Sequence, residues 1–159
     1  MIRLIGAAAI AATLTVAAIK SPGLPASSTL SVLQQGWGVN RMHFMGHWQQ
    51  VRGVHDGRFK GASVRSFHPG DGMTAEVRAK AMRFYGVRGP TGGKALLLID
   101  NARRVVIDFY APRKQTRALL FATPALGEGL HVADLIVLGT HDRRSRGSYV
   151  NLDSIELLQ

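Results

Sequence analysis

From Gly46 onward the chain is interrupted at short intervals by turn-forming residues, and this spacing limits the possible fold more than any other feature. The interruptions are Gly46, His55-Asp56-Gly57, Pro69-Gly70-Asp71-Gly72, Gly89-Pro90-Thr91-Gly92-Gly93, Asp100-Asn101, Pro112, Gly127-Glu128-Gly129, Gly139 and Arg146-Gly147. The segments between them are long enough for strands and too short for packed helices. An all-β sandwich or barrel is the architecture this pattern predicts.

The segments agree with that reading. Residues 94–99 and 105–110 are rich in Leu, Val, Ile and aromatics. Asp100 and Asn101 join them, and both tolerate the left-handed backbone a tight hairpin requires. Residues 130–138 are apolar on both faces, which places them centrally in a sheet, and residues 149–158 also read as a strand. Weaker strands at 48–51 and 62–67 flank the His55-Asp56-Gly57 turn. Between 74 and 85, Ala75, Val77, Ala79 and Ala81 alternate with Glu76, Arg78 and Lys80. That pattern fails at Met82, which predicts a bulge or a strand that changes sheets.

Ahead of this region lie two segments of different character. Met1-Ile2-Arg3 precedes an uncharged apolar run over residues 4–19 and then Lys20. We read residues 1–26 as an apolar N-terminal helix serving as a signal peptide or membrane anchor, which implies an extracellular or cell-surface location. Residues 27–40 read as linker, with one strand at 29–33, leaving 41–159 as the folded binding module.

The chain has no cysteine, which excludes disulfides, thiolate metal sites and cysteine nucleophiles. Lys and Arg number 20 against 10 Asp and Glu, for a net charge of +10. Arginine predominates among the basic residues, and its planar fork takes phosphate, sulfate and carboxylate in bidentate fashion. Polyanions are therefore natural partners, although charge by itself also serves solubility.

Residues 43–158 resemble the galactose-binding-like jelly-roll domains, akin to carbohydrate-binding modules, of secreted bacterial or phage surface proteins. The resemblance rests on the order of several pieces: His43-Phe-Met-Gly-His-Trp48, Phe84-Tyr-Gly-Val-Arg-Gly-Pro-Thr-Gly-Gly-Lys-Ala95, Leu98-Ile-Asp-Asn101, Val106-Ile-Asp-Phe-Tyr110, Leu119-Leu-Phe121, Leu126 with Gly129 and His131, and Ser148-Tyr-Val-Asn-Leu-Asp-Ser-Ile155. It implies an antiparallel two-sheet β-sandwich, a jelly roll, that binds glycans without catalysis. Two departures stand out: the usual Asp-Gly hairpin is Asp100-Asn101, and Lys80-Ala81-Met82 replaces a small Gly/Thr pair.

Sugars are held by aromatic rings against the apolar pyranose face and by planar polar groups on the hydroxyls. The ligand-binding candidates are accordingly Trp37, Tyr85, Tyr110 and Tyr149, Arg88 in the glycine-rich loop, and Arg143, Arg144 and Arg146 at a basic tip. Trp48, behind Gly46, reads as core. The glycine-rich loop lacks the Gly-Lys-Ser/Thr ending of a phosphate P-loop. His141-Asp142 and Ser145 share one loop, where a nucleophile and base cannot be aligned, so no catalytic residue is assigned. The histidines show no metal spacing, and no cofactor is expected beyond an optional structural calcium near Asp56, Asp100 or Asp153.

The expected function is thus an exported binding module for glycans or an anionic cell-envelope polymer. A structural or adhesion domain binding a protein partner is the alternative. Sequence-specific nucleic acid is not expected, and membrane contact would come only through residues 4–19.

Overall fold

Alternation of inward apolar and outward polar residues builds the strands. The structure, a computed structural model, describes residues 27–53 and 55–159. The signal peptide or anchor expected over residues 1–26 lies outside the described residues. The strands are β1 (Ser27–Ser31), β2 (Arg41–Met45), β3 (Gln49–Arg52), β4 (Ala62–Ser66), β5 (Gly72–Arg78), β6 (Ala81–Arg88), β7 (Gly93–Ile99), β8 (Arg103–Asp108), β9 (Gln115–Ala122), β10 (Leu130–His141) and β11 (Val150–Leu158).

They form two antiparallel sheets. The first runs β3-β4-β11-β6-β9, with β1 pairing the second half of β11, and the second runs β2-β5-β10-β7-β8. In β5, Met73, Ala75 and Val77 are buried while Thr74 and Glu76 are partly exposed. Phe84, Leu152, Ile155 and Leu157 of the first sheet enter one shared core with Met42, Met73, Leu97 and Leu135 of the second. Each of these fully buried side chains contributes about 2 kcal/mol of transfer free energy. The expected all-β sandwich is what the chain forms, with β10 between β5 and β7 as its apolar faces predict.

Two local expectations resolve in physical detail. Asp100 and Asn101 both sit at φ 53, the left-handed conformation that the tight turn between Ile99 and Arg103 requires. The broken alternation near Met82 is a change of sheet: β5 ends at Arg78 in the second sheet, and β6 begins at Ala81 in the first. Lys80 N–H donates to Leu158 O at 2.6 Å, which hands the chain over to β11.

In residues 27–40, read as linker with one strand at 29–33, the strand forms at 27–31 and belongs to the sandwich. Ser27 to Ser31 pair in register with Leu158 to Ser154, and Leu30 and Val32 are buried. The register of β1 is set by the free edge of β11.

Candidate functional site

The connection from β3 to β4 does not turn tightly: its described residues 55–61 lie as a strap against the outer face of the first sheet. Its anchor is Asp153, a wholly buried side chain of β11 whose carboxylate accepts the Phe59 N–H at 2.9 and 3.1 Å. The Thr116 hydroxyl donates to Asp56 O, fastening the strap to β9. Asp56 then holds Arg58 through an Nη1 contact of 2.6 Å and Lys114 through Nζ at 3.0 Å.

These ionisable groups have shifted equilibria with identifiable causes. Burial pushes the Asp153 carboxyl up to about 6 and repulsion from Asp56 adds to this, against the Phe59 N–H and the positive charges of Arg117 and Arg58. Burial also works to raise Asp56, but the hydrogen bond from Lys114 and the charges of Arg58 and Lys114 outweigh it and leave Asp56 below its usual value.

Between the strap and the β6–β7 loop lies an open cleft of about 370 Å³. Val51, Arg65, Asn151 and Val87 line its sheet side, Arg58 and Lys114 stand at one wall, and Arg88 to Gly92 form the other, with Tyr149 at the end. Register brings this about, because Asn151 of β11 pairs directly with Arg65 of β4. Four basic side chains line the cleft and, among the described residues, no acidic one does.

Several polar atoms here are buried without a partner in the protein: Nε of Arg58, Arg65 and Arg88, and Oδ1 of Asn151. The Arg58 side chain is only 5 % exposed. Unpaired buried donors and acceptors are costly and are rare in native structures. The guanidinium groups of Arg58, Arg65 and Arg88 and the amide of Asn151 belong to residues that line one cleft, a donor-rich lining that suits an oxyanion with a neighbouring hydroxyl.

The rim is stiff. Arg146 N–H donates to Pro90 O at 2.8 Å and Tyr149 N–H to Thr91 O at 3.0 Å, so the β10–β11 loop is tied to the β6–β7 loop. A side chain on Gly92 would run into Phe109 O, and one on Gly93 into Ser148 O. The Tyr149 ring lies under the Arg65 guanidinium at 4.6 Å and edge-on to Phe67 at 5.2 Å.

Of the residues singled out from the sequence, Arg88 and Tyr149 meet in this cleft. Tyr110 bridges Gly89 at the rim, and Arg144 lies over its ring at 4.9 Å. Arg144 is also bound to Asp142 at 2.9 Å, and that contact holds the Asp142 carboxyl down to about 2. Arg143 and Arg146 are exposed on the same loop and do not line the cleft. Tyr85, on β6, donates its hydroxyl to Glu156 at 3.0 Å; burial and this carboxylate push its pKa up. Trp37 stands apart, at the edge of the second sheet beside Arg41, His43 and Glu76.

Arg58, Arg65, Lys114 and Asn151 were not foreseen, because no local pattern marks them. Arg65 sits at an outward position of a strand between Val64 and Ser66, both buried, where a charged side chain is ordinary. Trp48 meets the core expectation in part: it packs on the core and donates its indole N–H to Gly72 O at 2.9 Å. Asp100 serves its turn, accepting from Val132 N–H and pairing with His131, each at 2.8 Å. Among the described residues no group of three or more potential ligands gathers around a metal position.

No family model matches the chain, and no curated protein matches it by sequence. Solved structures do. The CBM36-1 domain of a multidomain xylanase from the hindgut metagenome of Trinervitermes trinervoides superposes with a TM-score of 0.54 at 9 % identity, over 84 % of this chain and 98 % of that one. A two-domain esterase active on acetylated mannans gives 0.58 at 13 % identity, over 93 % of this chain and 40 % of that one. An exo-β-1,3-galactanase from Phanerochaete chrysosporium gives 0.54 at 14 %, over 83 % and 29 %. The chain thus spans about a third of the length of the enzymes and nearly all of the module. At these identities the likeness is one of fold, and the fold is the β-sandwich of carbohydrate-binding modules and related domains of carbohydrate-active enzymes.

Proposed function

We propose that this chain is an exported, non-catalytic module that binds an acidic glycan or an anionic cell-envelope polymer in the cleft of the first sheet. The observation that carries the reading is the convergence of Arg58, Arg65, Arg88, Lys114 and Asn151 on one concavity whose described lining holds no carboxylate. An oxyanion on the sugar meets the guanidinium N–H groups, Asn151 takes a hydroxyl, and Tyr149 offers its ring. Structural likeness to a carbohydrate-binding module supports the general class. Binding without turnover fits a cleft whose described walls offer no carboxylate as acid or base.

An array of neutral and acidic glycans, followed by a salt titration of the strongest binder, tests this. Acidic glycans should bind and weaken as ionic strength rises, with no product released. Absence of binding to every glycan on the array would remove the reading. Export, with residues 4–19 as signal or anchor, is checked by fractionating the cells that make the protein.

The alternative, a structural or adhesion domain, is favoured by a different surface. Cross-strand register aligns Met45, Gly72, Ile136, Leu96 and Val106 into an outward row on the second sheet, with Val106 55 % and Met45 46 % exposed. A stable protein complex that co-purifies with the chain and is lost on Val106→Lys would support it.

A further inference from the structure

We infer that Trp37 is the platform of a second carbohydrate site, separate from the cleft and suited to the apolar face of a neutral pyranose. The argument begins with how the ring is held. Trp37 lies in the arch that carries the chain from β1 in the first sheet to β2 in the second. That arch is fastened along its length: Gln34 N–H donates to Ser31 O at 2.8 Å, Gly36 N–H to Met42 O at 3.0 Å, Met42 N–H to Gln34 O at 3.0 Å and Asn40 N–H to Glu76 O at 2.7 Å. Isolated bridges join Gln35 to Met42 and Val39 to Glu76.

On both sides of Trp37 the backbone adopts conformations open to glycine, with φ of 127 at Gly36 and 108 at Gly38. Those two residues let the chain reverse so that the indole is presented outward. One face of the ring stacks on His43 of β2, with centroids 3.7 Å apart and planes 24° from parallel. Even so, Trp37 remains 72 % exposed. An anchor that pinned a linker to the sandwich would bury its ring, as Leu30 and Val32 are buried just before it. Here a large ring is backed on one side and offered to solvent on the other.

The C–H face of a pyranose stacks on such a surface, and little ordering cost remains because the arch and the His43 stack already hold the ring. Arg41 and Glu76 stand beside it, a donor and an acceptor for hydroxyls at the sugar's edge. Arg41 also donates to Gln35 O at 3.3 Å, which keeps its guanidinium near the arch. The local charge is balanced, unlike the wholly basic cleft, so the chemistry selects a neutral sugar. This site lies on the other sheet and does not depend on the cleft reading.

The test is a titration of the full chain with cellohexaose, xylohexaose and mannohexaose, followed by tryptophan emission. The chain has two tryptophans, and the Trp48 indole N–H is already engaged by Met45 O and Gly72 O. A saturable emission change therefore reports Trp37. At least one hexasaccharide should give it, Trp37→Ala should weaken binding measured by calorimetry roughly tenfold or more, and Trp37→Phe should retain part of it. The double variant Arg65→Ala, Arg88→Ala should leave this titration unchanged, whatever it does to acidic glycans. Failure of all three sugars to produce a saturable change, or equal affinity in Trp37→Ala and the parent, overturns the inference. Should alanine loosen the arch, seen as a lowered urea midpoint, Trp37→Phe decides: affinity at or above the parent's rules out a platform that relies on the larger indole.

Discussion

The outer face of the β3-β4-β11-β6-β9 sheet carries Arg65, Asn151 and Asp153 beside a strap, whereas that of the β2-β5-β10-β7-β8 sheet presents Met45, Ile136, Leu96 and Val106, with Val106 and Met45 exposed among the described residues. Both faces come from the same inward-outward alternation. Connections make the difference. On the second sheet β7 and β8 are joined by the tight turn at Asp100 and Asn101, which leaves nothing to build a wall. On the first sheet the connection from β3 to β4 is long enough to reach β11 and β9 and to bring a buried arginine to a concave surface. In this sandwich, strands supply the floor and loop length decides whether the floor becomes a site.

Four measurements can break or sharpen that contrast. The largest effect is expected at the rim of the cleft, where Gly92→Ala puts a methyl group into Phe109 O and the adjoining backbone. It should cost about 3 kcal/mol in urea unfolding. A loss under about 0.5 kcal/mol would mean the rim is not the stiff wall described.

Next is the strap anchor. Asp153 titrates near 6 when folded and near 3.8 when unfolded. Below pH 3.8 both states hold the proton; between there and 6 only the unfolded state releases it. Stability therefore falls as pH rises through that window, by no more than about 2 kcal/mol after allowance for relaxation. Asp153→Asn keeps an acceptor for Phe59 N–H and should flatten this part of the pH profile. The second sheet has its own titrating contact at higher pH. His131 sets Nδ1 against Asp100 and Nε2 against Gly127 O, two acceptors at 2.8 Å that favour the doubly protonated ring, so its pKa is raised above 6.5, chiefly by Asp100. Its contribution is present below 6.5 and fades as pH climbs through the folded value.

Third, Arg65→Ala with Arg88→Ala should reduce acidic-glycan affinity roughly tenfold, about 1.4 kcal/mol, and weaken its salt dependence. Unchanged affinity in calorimetry would move binding away from this face. Fourth and smallest, Met45→Lys and Val106→Lys on the opposite face should alter stability by no more than about 0.5 kcal/mol and leave glycan binding as it was. If they abolish a stable assembly instead, the second sheet is the working surface.

Much of this was legible in the chain, for reasons that differ by element. The hairpin at Asp100-Asn101 is local chemistry, two residues that accept a left-handed backbone, and it forms where expected. Arg88 and Tyr149 stood out because glycine-rich loops and strand ends mark places a ligand can approach, and both line the cleft. Arg65, Lys114 and Asn151 look ordinary in their own neighbourhoods. Their partnership exists because β4, β11 and the β8–β9 loop meet, a contact between segments far apart in sequence. Similarly, a strand is expected at 29–33, but its bounds of 27–31 and its place in the first sheet come from an edge of β11 that lies at the other end of the chain.

From the amino-acid order by itself came most of the strands, their turns and the all-β class, because those follow from backbone preferences and a period of two acting over a few residues; the two-layer sandwich is what the family resemblance implies. Which strand joined which sheet, the seating of the strap on Asp153 and the convergence of the arginines were decided by tertiary structure alone. Hydrogen-bond pairing and burial across long separations depend on where distant segments come to lie, and no local pattern records that.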